Sequence, residues 1–136
     1  MLLIQFIYFT GLLFMARQDA ISQSVSARLT DGWLALVLSG TLVVAPSRLL
    51  AMFAVSLVLT LFAYRTRGLG SADIFVLAGS VCCLGLTGTL CTLTVASVSG
   101  LLWAHKRQQQ QIAFIPHLAF GAVTYCLFLA SFLHLH

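Results

Sequence analysis

The sequence predicts an all-α fold, a polytopic membrane helix bundle of about six transmembrane helices with both termini outside, and three observations lead there. The 136 residues are 60% hydrophobic and only 7% charged, which leaves too little polar surface to coat a soluble globule. Apolar runs recur along the whole chain at lengths suited to a bilayer, where a crossing takes roughly 20 residues. The basic residues gather in alternate gaps between those runs. A chain of this length is filled by about six crossings, so residues 1–136 read as a single membrane-embedded domain with no soluble one.

The first run covers about residues 1–16. It lacks a basic segment before it and is followed by Arg17 in place of a small-residue cleavage site, so it reads as a retained helix and not as a secretory signal. The next runs fall at about 29–45, 49–64, 73–87, 89–104 and 112–134. After Asp73 no charge appears until Lys106, a stretch too long for one crossing, and Gly85, Thr87, Gly88 and Thr89 mark the turn that divides it. Arg17 and Arg28 then share one loop, Arg65 and Arg67 a second, and Lys106 and Arg107 a third. All three loops fall on one face, with Arg48 alone opposite, and the positive-inside rule makes the richer face cytoplasmic. Small residues such as Gly79, Gly85 and Gly88 suit closely packed helices. The expected location is the cell membrane, with the lipid bilayer as solvent.

A net charge of +4 invites a nucleic-acid reading, but the basic residues flank apolar runs and do not line one polar face. They act as topology signals, and no nucleic-acid partner is expected. Cys82, Cys83, Cys91 and Cys126 all lie in apolar segments without a C-x-x-C pair. A zinc site or disulfide framework is unsupported, no metal or other cofactor is expected, and the thiols read as small packed hydrophobes. His105, His134 and His136 sit at helix ends, whereas His117 lies about a turn into the last run.

The chain has three acidic residues, Asp19, Asp31 and Asp73, and the topology above brings all three to the cytoplasmic face. Ionisable groups in membrane segments are costly and are functional candidates by default. Asp31 has a structural explanation, because Thr30-Asp31-Gly32 precedes an apolar run and reads as a helix cap. Asp73 follows Gly68-Leu69-Gly70-Ser71-Ala72, a small-residue stretch that admits close backbone approach and sets the carboxylate at a helix start.

The segment Gly68-Leu69-Gly70-Ser71-Ala72-Asp73 resembles the G-x-G-x-G-D motif of prepilin peptidases, which are intramembrane aspartic proteases. A second family pattern, D-x-x-x-x-x-[IL]-P-[ND]-x-L, is similar to the stretch from Asp19 to Leu29, which keeps the aspartate, the apolar Val25 and the leucine. A third, resembling I-P-F-G-P-F-L-A-L-G, is matched by Ile112 to Gly121 and includes Pro116. The three occur in the family's order. Ala72 stands where the family has glycine, and Ser26 and Ala113 where it has proline.

The resemblance implies a hydrolase whose catalytic pair is Asp19 and Asp73, with Gly68, Gly70, Ala72 and Pro116 supporting the motif. It implies leader-peptide cleavage of type IV prepilin-like or competence pseudopilin precursors, partners that are themselves membrane helices, at the cytoplasmic face. Larger family members add a methylating cytoplasmic domain with paired C-x-x-C motifs, so this chain matches the short peptidase-only form. A different class of function stays open beside it: a non-catalytic membrane assembly partner or a small transporter, in which Asp19 and Asp73 bind a cation or hold helices together. The oligomeric state is not readable from these residues.

Overall fold

The computed structural model describes residues 2–66, 70–107 and 113–134. All of the secondary structure there is helical: α1 (Leu2–Ser22), α2 (Ala27–Val44), α3 (Ser47–Thr66), α4 (Ser71–Arg107) and α5 (Ile115–His134). Four stretches are long and apolar enough to cross a membrane, Ala27–Val44, Ser47–Arg65, Ser71–Lys106 and Phe114–Phe132. Large apolar side chains cover the outside, among them Leu3, Phe6, Val43, Leu50 and Tyr64. Exposed apolar surface on this scale suits lipid and not water.

Where the sequence suggested a long cytoplasmic loop after residue 16, α1 continues to Ser22 and carries Arg17 and Asp19 with it. The helix stops at Gln23, which has a left-handed φ of 51° and donates its N–H to the Asp19 carbonyl, a C-terminal cap made without glycine. Only residues 23–26 then separate α1 from α2. A second correction concerns Asp31. α2 starts at Ala27 with Ser26 before it, so Asp31 lies beyond the first turn, exposed, and does not cap the helix.

The stretch expected to be two helices is a single α4 broken at one residue, Gly85, whose φ of 75° and ψ of 176° are not helical. Thr87, Gly88 and Thr89, expected in the turn, are already helical again. Leu77 on one side of the break and Leu90 and Leu93 on the other line one cavity of about 300 Å³ against Ala54 and Val58 of α3. In an unbroken helix Leu77 and Leu93 would stand about 24 Å apart at 1.5 Å per residue, so the chain doubles back at Gly85. Arg48, at the start of α3, closes the break. Its Nη1 donates to the carbonyls of Cys82 and Cys83 at 3.1 and 3.2 Å, groups at the end of the first α4 segment that lack the next turn's N–H donors.

Trp33 of α2 lies at the centre of the bundle. Its indole packs so closely between Gly11 of α1 and Gly79 of α4 that a Cβ on either would come within 1.9 or 2.5 Å of the ring. Its Nε1–H reaches the carbonyls of Ile7 and Tyr8, each at 3.3 Å, and the Tyr8 hydroxyl pairs with Ser80 Oγ at 2.7 Å. Three helices are thus joined around one aromatic ring, with both buried polar tips satisfied. On the other side, Gly121 of α5 lets that helix lie directly on the backbone of Thr92, whose carbonyl oxygen a Cβ there would meet at 2.5 Å. Small residues at such contacts let membrane helices approach without a hydrophobic driving force.

Candidate active site

Asp19 occupies the last turn of α1 and is buried, at 8% exposure. Its Oδ2 accepts the N–H of Ile115, the first residue of α5, at 3.1 Å. A helix start leaves its first N–H groups without intrahelical partners, and the donors of α5 can be followed one by one. Ile115 gives its N–H to Asp19, and Pro116 has none to give. His117 and Leu118 donate to the Phe114 carbonyl at 3.1 Å each. A proline in the first turn therefore costs α5 nothing, and it leaves one backbone donor for the carboxylate to fill.

Asp73 is the third residue of α4 and half-buried. Its Oδ2 accepts the Gly70 N–H at 3.2 Å, while the Gly70 carbonyl accepts from Ile74. This is one half of a capping box, an acidic side chain reaching back to the N–H of the residue before the helix, and Gly70 has no side chain to supply the other half. Gly70 suits the position because a Cβ there would stand 3.2 Å from the same carboxylate oxygen. Ala72 is helical and its methyl packs against the core. No positive φ occurs there, so alanine fits that backbone as glycine would.

The two carboxyl groups come from separate helices, Asp19 from the last turn of α1 and Asp73 from the first turn of α4. Each carboxylate commits Oδ2 to a backbone N–H, and no hydrogen bond to Oδ1 of either forms among the described residues. Both lie at helix ends on the same side of the bundle, as does His117 on the first turn of α5. Its Nδ1 meets Ser99 Oγ at 3.0 Å. Ser99 already donates its hydroxyl to the Ala96 carbonyl at 3.1 Å, so it accepts from His117 Nδ1–H, and Nε2 remains the free ring nitrogen.

Of the residues singled out from sequence, Asp19, Asp73, Gly70, Ala72 and Pro116 gather around the starts of α4 and α5, and Asp31 stands apart, exposed on α2. Gly68 lies outside the described residues. The Ile115 N–H and the Ser99–His117 pair escaped sequence reading; only Pro116 hinted that a helix start lay beside the site. Among the described residues no group of three metal-ligating side chains forms, and all four cysteines are free. No family model, curated protein or solved structure matches the chain.

Proposed function

We propose that the chain is a membrane-embedded aspartic endopeptidase of the prepilin leader peptidase type, with Asp19 and Asp73 as its catalytic pair. The observation that carries the reading is geometric: two carboxyl groups distant in sequence sit at helix ends on one side of the bundle, each anchored through one oxygen to a backbone N–H. The mechanism requires the two acids to come close enough to share one proton, because neighbouring carboxyl groups do not both ionise readily. The ionised member takes a proton from water as the water oxygen bonds to the scissile carbonyl carbon, and its protonated partner gives a proton to the carbonyl oxygen. Collapse of the tetrahedral intermediate breaks the C–N bond, and the amine leaves with the proton taken from water.

In this reading the halves of α4 are separate crossings, which with α1, α2, α3 and α5 makes six, and both termini lie outside. The Asp19–Asp73 end then faces the cytoplasm, where leader peptides of membrane-helix precursors would be cut. A purified preparation incubated with a prepilin or pseudopilin precursor should release the leader, read by mass spectrometry. Unchanged precursor after prolonged incubation with folded protein would remove the proposal.

One observation favours a second reading. The bond from Asp19 to Ile115 ties α1 to α5, a role that a non-catalytic assembly partner could use as well. Asp19→Asn separates the two, since the amide keeps a carbonyl oxygen for the Ile115 N–H but cannot take or give the shared proton. Retained folding with lost cleavage supports the peptidase; a parental chain that cleaves no precursor, yet loses folding on Asp19→Ala, supports the assembly role.

A further inference from the structure

Between α1 and α2 a groove runs from the apolar middle of the bundle to the charged end of α1. Its deep part, about 510 Å³, is walled by Phe6, Phe14, Leu29 and Leu36, with Gly11 and Trp33 among the remaining lining residues. Phe14 and Leu29 also line an adjoining stretch of about 410 Å³ that ends among Arg17, Gln18 and Ser26. Arg28 lines the deep part near the same end. From Phe6 to Phe14 the wall is about 12 Å long at 1.5 Å per residue, close to the roughly 15 Å depth of one leaflet of the hydrocarbon core.

We propose that this groove is a binding site for an anionic phospholipid, its acyl chain along Phe6 to Leu36 and its phosphate between Arg17 and Arg28. Charge complementarity selects this occupant. Both arginines are exposed, and neither forms an ion pair or hydrogen bond with a described residue. Gln18 adds its amide N–H group, because its carbonyl oxygen already accepts the Ser26 N–H at 3.3 Å. Guanidinium groups suit phosphate oxygens in geometry and charge, and basic pockets between helices on the cytoplasmic side recognise anionic headgroups. A second copy of this chain seated face to face would bring the same arginines against each other, so symmetry opposes that occupant. The proposal is independent of any peptidase activity.

The test reconstitutes the full chain in nanodiscs of equal phosphatidylglycerol and phosphatidylcholine and counts co-purifying lipids by native mass spectrometry. Phosphatidylglycerol should be enriched over phosphatidylcholine by roughly thirtyfold, the scale that two basic residues beside one headgroup supply. The double variant Arg17→Gln/Arg28→Gln should return the ratio to that of the bulk, whereas Arg65→Gln, at the end of α3, should leave it enriched. Gly32→Leu probes the apolar part with the arginines intact. A Cβ at Gly32 meets nothing within 4 Å, so the variant has room to fold, and its side chain should fill the groove and shed the lipid. Equal lipid ratios in the parent, enrichment that survives the double arginine variant, or lipid retained by folded Gly32→Leu would each overturn the site. So would efficient disulfide cross-linking between copies through Gly32→Cys, which would make the groove a dimer interface.

Discussion

Asp19 and Asp73 each do two things at once, completing a helix start with one oxygen and leaving the other unused. That division makes asparagine an informative replacement, since it preserves an acceptor and removes the acid. Asp19→Asn and Asp73→Asn should each lower leader cleavage by roughly a hundredfold or more, the range of a lost general acid or base. The double variant should be barely worse than either single one, because groups that act as one unit are not additive. Asp31→Asn should cleave at the parental rate, as an exposed residue on α2 with no part in the pair. Initial rates at matched amounts of folded protein measure all four. At Gly11 the expectation concerns stability: Gly11→Ala drives a methyl into the Trp33 ring and should destabilise the bundle by about 1–3 kcal/mol, seen as a lower unfolding temperature in micelles. Both aspartates were legible in the sequence because acidic residues are so scarce in it. Their partners were not, since a backbone N–H carries no sequence signature and the bond to Ile115 spans 96 positions.

At the level of the helix, Gly85 and Arg48 form one device. The glycine permits the φ of 75° that ends one helical segment and starts the next, and the arginine supplies donors to carbonyls the break sets free. Gly85→Ala should cost about 1–3 kcal/mol, because positive φ with extended ψ is a region nearly reserved for glycine, and Arg48→Gln should destabilise by a similar amount by leaving Cys82 and Cys83 carbonyls short of a charged donor. Thermal unfolding followed by circular dichroism would check both, and the combined variant should fall short of the sum because the residues serve the same break. Helix existence followed from hydropathy, and the chain's need to divide near Gly85 followed from length. Boundaries were less legible: polar residues at the end of α1 look like loop in composition, yet helix continues through them until Gln23 adopts positive φ. Arg48 had read as a minor topology signal, since its acceptors become available only when α4 breaks.

For the whole molecule the question is how often the chain crosses the bilayer. The fold class was plain from composition, but the number of crossings depends on α1, whose Gln5, Arg17, Gln18 and Asp19 dilute an otherwise apolar helix, and on α4, which turns back on a single residue. Cysteines introduced at Ser47 and at Gln109, in a background without native cysteines, should react with impermeant reagents from opposite sides of the membrane. Reaction from the same side would exclude six crossings and with them a cytoplasmic Asp19–Asp73 end.

The bond between Asp19 and Ile115 also has a meaning in time. A ribosome adding about 5–20 residues per second makes α1 long before α5, and 96 positions of chain put about 5–20 seconds between the two partners. Through that interval the carboxyl group of α1 has no helix start to occupy, and the proposed pair with Asp73 lacks its anchor. If the proposed peptidase reading holds, a nascent chain is unfinished as a reagent until its last described helix docks, and a precursor that meets it earlier in synthesis should pass uncut.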